Sequence, residues 1–269
     1  MTPLASFAEF RRRQLPPATH WSPYIPIWVQ VAAAIAVGVV AVSLLVVTVP
    51  NAFYEARTAT VTLVHEIGHA SISWLDTREF GQIDLHEHGG VAFVSSSGDV
   101  WLAIAAAAGI LLPAWMAAAI LALGLTRVGI EFGLLVSGVI ILVVALLHAD
   151  ISPDSFVAIS VLAGGMLLAG GLPMGGALRS GLCLAIAGAL SLAVYEGRAY
   201  AYVDYIDSDP SHPADARIVA NALDIVTVDE VGDVLTGLMV VGYVAAILIS
   251  WAWLSRIGAI RRIGVRGGR

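Results

Sequence analysis

The sequence predicts an α-helical polytopic membrane protein, with about six transmembrane helices, one further apolar helix that is re-entrant or buried, and a short β-hairpin. Three observations predict it. Apolar residues make up 58% of the 269-residue chain and charged residues 13%, against about 25% charged in a soluble domain. The apolar residues gather into seven runs, several near the ~20 residues that a helix needs to cross a bilayer. The cationic side chains are all arginine, with no lysine, and several sit at the two ends of the chain, which gives the runs a direction.

Taken in order, residues 1–26 carry Arg11, Arg12 and Arg13 and read as a cytoplasmic tail. The run Trp28–Val49 is about 22 residues long, too long for a signal-peptide core, and lacks a small-residue cleavage site. It reads as a permanent anchor. A second run spans Tyr54–Leu75. Residues 76–99 alternate apolar and polar around Gly89-Gly90, which predicts a hairpin turning on the two glycines. Apolar helices follow at Val100–Leu123, Ile130–His148, Phe156–Gly171, Ala177–Tyr195 and Val234–Leu254. Between the last two, residues 196–233 hold nine acids against Arg198 and Arg217. Tyr195, Tyr200, Tyr202 and Tyr205 there suit an interfacial belt. Pro213-Ala214-Asp215-Ala216-Arg217 looks like the start of a short helix, continued by Ile218, Val219 and Leu223 at helical spacing. One transmembrane domain over residues 27–255 and a basic tail at 256–269 complete the layout, as an integral, multi-pass protein of the cell membrane. A net charge of −6 argues against a nucleic-acid partner. Cys183 is the single cysteine and forms no intramolecular disulfide.

The positive-inside rule places both arginine-bearing termini in the cytoplasm and requires an even number of crossings. Seven runs satisfy it only if one does not cross. The run Tyr54–Leu75 is the economical choice. Arg127 and Arg179 then fall in cytoplasmic turns, and the acidic turn at 150–154 and the acidic loop at 196–233 share the outer side with that run.

That run contains His65-Glu66-Ile67-Gly68-His69, the pattern HExxH. On a helix, positions i and i+4 share a face, so His65 and His69 can hold one Zn²⁺. Glu66 lies beside them, placed to take a proton from water that the metal acidifies to a pKa of about 7. Two histidines and a glutamate among Val61, Leu63, Val64, Ile67, Ala70 and Ile72 are costly unless they bind something. A catalytic zinc takes three protein ligands and leaves a position open. Asp215, Asp150 and Asp154 each have the reach to be the third. For Asp150 and Asp154 a solvated helix cap is the simpler role, and for Glu131 and His148 a helix-end charge is. His86, Glu87 and His88 read as a polar hairpin tip.

The stretch His65 to Ala70, the hairpin with Gly89-Gly90-Val91, and the apolar helix of small residues after it resemble the site-2-protease-like intramembrane zinc metallopeptidases. The resemblance covers most of residues 55–255 and is closest to small bacterial and plant members without a PDZ domain. It implies a zinc endopeptidase acting on membrane-embedded protein substrates, with Glu66 as general base and acid. These members carry a late Ser-Asp-Ala-like motif. Pro213-Ala214-Asp215-Ala216 stands in its place without the serine, which implies Asp215 as the third ligand. The Leu-Asp-Gly motif of better-known members is absent. A catalytically inactive scaffold or chaperone keeping the same fold is the alternative. A metal transporter is disfavoured, because the polar residues cluster at one end instead of lining successive spans. The hairpin edge offers main-chain pairing to an unwound substrate segment.

Overall fold

The computed structural model describes residues 25–86, 89–172, 176–206, 213–224 and 227–266. The arginine triplet at 11–13, Glu87, His88, Asp207, Asp209 and the tail arginines beyond Arg256 are outside what it describes in side-chain detail, as is the His86 side chain.

Eight α-helices among the described residues are α1 (Ile27–Thr48), α2 (Pro50–Thr77), α3 (Asp99–Thr126), α4 (Ile130–Leu147), α5 (Pro153–Gly171), α6 (Gly176–Gly197), α7 (Asp215–Leu223) and α8 (Val228–Arg266). Six of them, all but α2 and α7, are long and apolar enough to cross a membrane. Their outward faces are strongly exposed at Val47, Phe132, Leu147 and Val161. Such faces find a suitable solvent only in hydrocarbon. The chain is an integral, multi-pass membrane protein.

Local sequence sets the helix ends. Pro50 and Pro153 occupy first-turn positions, where a missing N–H costs nothing. The Ser152 hydroxyl accepts from the Ser155 N–H and caps α5. Arg78 and Arg127 close α2 and α3 in the left-handed conformation, at φ 65° and 59°.

The helices define two ends of the bundle. At one end, Ile27 and Val31 of α1, Leu125 of α3 and Leu254 of α8 form a small cluster, and Trp28 meets Trp251 with ring centroids 5.6 Å apart. Arg127 and Arg179 belong to this end. Arg179 pairs with Glu131 and donates to the carbonyls of Ala169 and Leu172. Glu131, at the start of α4, is therefore an ion-pair partner as well as a helix-end charge. The opposite end carries the sheet. α1 and α6 run parallel between the ends, brought close at Gly38 and Gly181, where a Cβ on Gly181 would fall 2.4 Å from Val37.

α2 begins and ends at the sheet end. Near its start, Arg57 pairs with Glu196 at the end of α6. Near its end, the Ser73 hydroxyl donates to the Ser95 carbonyl and accepts from the Ser95 N–H, while Asp76 accepts from the Ser97 N–H and hydroxyl, just ahead of α3. α2 thus lies across the end of the bundle, and the six remaining long helices give an even count.

The sheet has three strands in the order β2-β1-β3. β1 (Ile83–His86) and β2 (Gly89–Ala92) form the predicted antiparallel hairpin. Gly89 and Gly90 are strand residues, opposite His86 and Leu85, so the two glycines do not make the turn. A Cβ on Gly90 would fall 2.8 Å from Leu85 Cδ2 and 2.9 Å from Glu66 Oε1, so a side chain there would displace the Glu66 carboxylate, which suits glycine in this strand. β3 (Ala149–Ile151) joins α4 to α5 and pairs parallel to β1, with Asp150 opposite Asp84. The sequence reading did not include this strand.

Candidate metal centre

α2 carries His65, Glu66 and His69 into the bundle, and α3 receives them. Gly68 makes the contact: a Cβ there would sit 2.5 Å from the Ala108 carbonyl oxygen. Gly109 leaves the room that the His69 ring fills, since its own Cβ would come within 2.4 Å of Cε1 and Nε2. The His69 Nδ1–H donates to the Ala105 carbonyl at 2.9 Å. That bond fixes the tautomer and turns the Nε2 lone pair inward. Ala105 is six residues into α3, about 9 Å from its start at 1.5 Å per residue.

α7 brings Asp215 to the same point. Its Ala216, Val219 and Ala220 share a cluster with Ala103, Ala106 and Ile110 of α3. Asp215 Oδ2 lies 2.9 Å from His65 Nε2 and 3.3 Å from His69 Nε2, and the two ring nitrogens are 3.1 Å apart. No donor reaches Oδ2 in hydrogen-bond geometry, although the atom is buried. Burial alone would raise the Asp215 carboxyl, but in the metal-free protein the two imidazoles, when protonated, outweigh it and hold the group below the ordinary carboxylate range.

A metal fits this arrangement. Three ligands at 2.0–2.1 Å from a tetrahedral zinc are about 3.3 Å from one another. The observed edges of 2.9, 3.1 and 3.3 Å come close to that triangle. Two neutral nitrogens and one carboxylate oxygen are also a donor set that catalytic zinc accepts. Among the described residues this is the one cluster of three ligating side chains so disposed. Glu66 is buried beside it and packs on Gly90 of β2.

Asp150 and Asp154 are elsewhere. Asp150 stands in β3, and Asp154 is in the first turn of α5, where its charge suits the helix N-terminus. His148 ends α4 and packs on Phe80, with ring centroids 4.7 Å apart. Tyr200, in a 3₁₀ turn at Arg198–Tyr202, faces inward: its ring meets His65 edge-on at 5.5 Å. The sequence reading had placed it in an interfacial belt. It also missed Gly109 and Ala105, which an apolar helix of small residues does not single out. The one signal available was the requirement that each imidazole have a partner for its second nitrogen.

Residues 32–254 match the family described as Peptidase M50B-like. No curated protein and no solved structure matches the chain.

Proposed function

We propose, from the premise that the chain belongs to the Peptidase M50B-like family, that it is an intramembrane zinc endopeptidase cleaving membrane-embedded protein segments. The observation that carries this reading is the triangle of His65 Nε2, His69 Nε2 and Asp215 Oδ2 with Glu66 next to it. His65, His69 and Asp215 would hold the Zn²⁺, which when bound acidifies a water and polarises a carbonyl. Glu66 takes the proton from the attacking water and returns it to the leaving amide nitrogen. Its carboxylate is fixed for that by packing on Gly90 and by the Ala92 backbone.

The hairpin supplies the rest. The Phe93 N–H donates to the Gln82 carbonyl at 2.9 Å, so residues 93, 91 and 89 turn their polar groups toward β1. Gly90 turns its N–H and carbonyl, and Ala92 its carbonyl, to the free edge, while the Ala92 N–H there is held by Glu66. An unwound substrate strand paired on that edge has its carbonyls delivered to the site.

Glu66→Gln tests the reading. The purified variant is expected to keep zinc at the wild-type level by elemental analysis, while cleavage of a reconstituted single-span substrate falls by about 10²–10⁴-fold. Undiminished cleavage by this variant refutes the role of Glu66. Absence of zinc from the wild-type protein refutes the metal centre.

A further inference from the structure

A groove of about 640 Å³ opens between α2, α5 and the hairpin, and the chemistry above leaves it unused. Its size is that of a ligand site rather than a packing gap. One wall is the first half of α2, where Ala52, Glu55, Ala59 and Thr62 recur at three- and four-residue steps on a single face. The facing wall is the start of α5, with Asp154, Ala158 and Val161 at the same kind of spacing. Leu85 and Gly89 of the hairpin close the inner end. Thr62 is one helical turn before Glu66, and Leu85 and Glu66 crowd the same Gly90. The groove therefore leads to the general base. Its outer rim includes Val157 and Val161, exposed to 61% and 67%. In a bilayer such a rim faces lipid, so the groove is open sideways.

Its charge is one-sided. Glu55 and Asp154 both line it and both are exposed. Neither has an ion pair among the described residues, and no cation among them lines the groove. Two carboxylates at the mouth of a small-residue, apolar channel complement a peptide with an apolar stretch and a basic residue at its flank. A phospholipid fits less well, because its phosphate would meet both acids.

We propose that this groove, resting on the endopeptidase reading, docks the flank of the substrate and selects an arginine or lysine placed between Glu55 and Asp154. The selection is restrictive. The groove mouth lies at the sheet end, the outer one in the topology argued from arginine, and single-span proteins keep most of their basic residues on the other side.

The test uses the full chain in liposomes on a Cys183→Ala, Val161→Cys background. The probes are synthetic single-span peptides with Arg, Gln or Glu at the flank and a cysteine seven residues on, the spacing from Asp154 to Val161. Disulfide capture is expected to rank Arg over Gln over Glu, with about fivefold per step, as a partly screened charge contact of ~1 kcal/mol gives. Glu55→Arg combined with Asp154→Arg is expected to reverse the ranking while zinc content stays constant. Capture that ignores peptide charge, or a ranking the double variant leaves unchanged, overturns the proposal and includes the case of a groove filled by lipid alone. Charge-ranked capture without cleavage supports the groove and counts against the endopeptidase. Cleavage without ranked capture does the reverse.

Discussion

Gly109→Ala places one methyl group where the metal centre has no room for it. The added Cβ falls 2.4 Å from Cε1 and Nε2 of His69. Carbon contacts settle at about 3.5 Å, so the ring has to retreat by about 1.1 Å. It has nowhere to go at low cost. The ring is buried, its Nδ1–H is held by Ala105, and α2 already touches the α3 backbone at Gly68. A 1.1 Å shift is a third of the 3.3 Å edge from His69 Nε2 to Asp215 Oδ2, whereas metal–ligand distances tolerate about 0.2 Å. Loss of supporting shell contacts typically costs 10–100-fold in metal affinity, or about 1.4–2.8 kcal/mol. The expected result is zinc affinity weakened by at least tenfold in competition with a chromophoric chelator. The control is Gly164→Ala in α5, where nothing lies within 4 Å of the new methyl. That change should leave zinc binding alone and stabilise the helix by up to about 1 kcal/mol. Gly109→Ala binding zinc within twofold of wild type would refute the assignment of His69 Nε2 as a ligand.

Further outcomes follow from the same geometry. Asp215→Ala should abolish stoichiometric zinc in elemental analysis, while Asp150→Ala and Asp154→Ala retain it; the opposite pattern moves the third ligand. Because the Asp215 carboxyl is held below its ordinary pKa of about 3.9, its contribution to stability is complete above that value and disappears only as pH falls through the depressed one. The same pairing raises His69 to about 9, so its share of the stability is present below about 6.5 and fades as pH rises toward 9; Asp215→Asn should therefore lower the Tm of metal-free protein more at pH 6 than at pH 8, and a deficit that does not shrink between them contradicts the pairing. On a Cys183→Ala background, Val128→Cys should react with a membrane-impermeant maleimide from the cytoplasmic face and Val49→Cys from the outer face; reversed labelling inverts the topology. Tyr200→Phe should keep zinc and Tyr200→Ala should lose part of it, since the ring, and not the hydroxyl, is what packs on His65.

Much of this was legible because it rests on period and hydropathy. Each apolar run became a helix, with most ends shifted by a few residues, as when Pro50 started α2 ahead of Tyr54, while α8 began six residues before Val234 and ran twelve past Leu254. The i,i+4 histidines needed only helical geometry. Asp215, implied by the family resemblance, lies 2.9 and 3.3 Å from the two imidazoles, and its role as a ligand is part of the proposed function. What escaped the sequence depends on partners distant in the chain. β3 is three residues long and has no alternation to detect; it exists because Ile83 donates its N–H to the His148 carbonyl. Gly89-Gly90 carries the composition of a turn, but both are strand residues, and it is Gly90 that clears Glu66 and Leu85. Tyr200 has an amphipathic ring that suits an interface equally well, and only the placement of the 3₁₀ turn points it at His65. In α3, alanines and glycines are so numerous that none marks Gly109.

The separation of Asp215 from His69 by 146 residues has a consequence for how the protein is made. Synthesis at 5–20 residues per second leaves roughly 7–30 s between the two emerging. During that interval four of the six long apolar helices are made, while the candidate ligand set has two members. A chain interrupted anywhere before α7 has the imidazoles and the general base but cannot close the triangle. On the proposed reading such a chain cannot retain zinc, and a truncated product left in the bilayer is expected to be inert toward its neighbours.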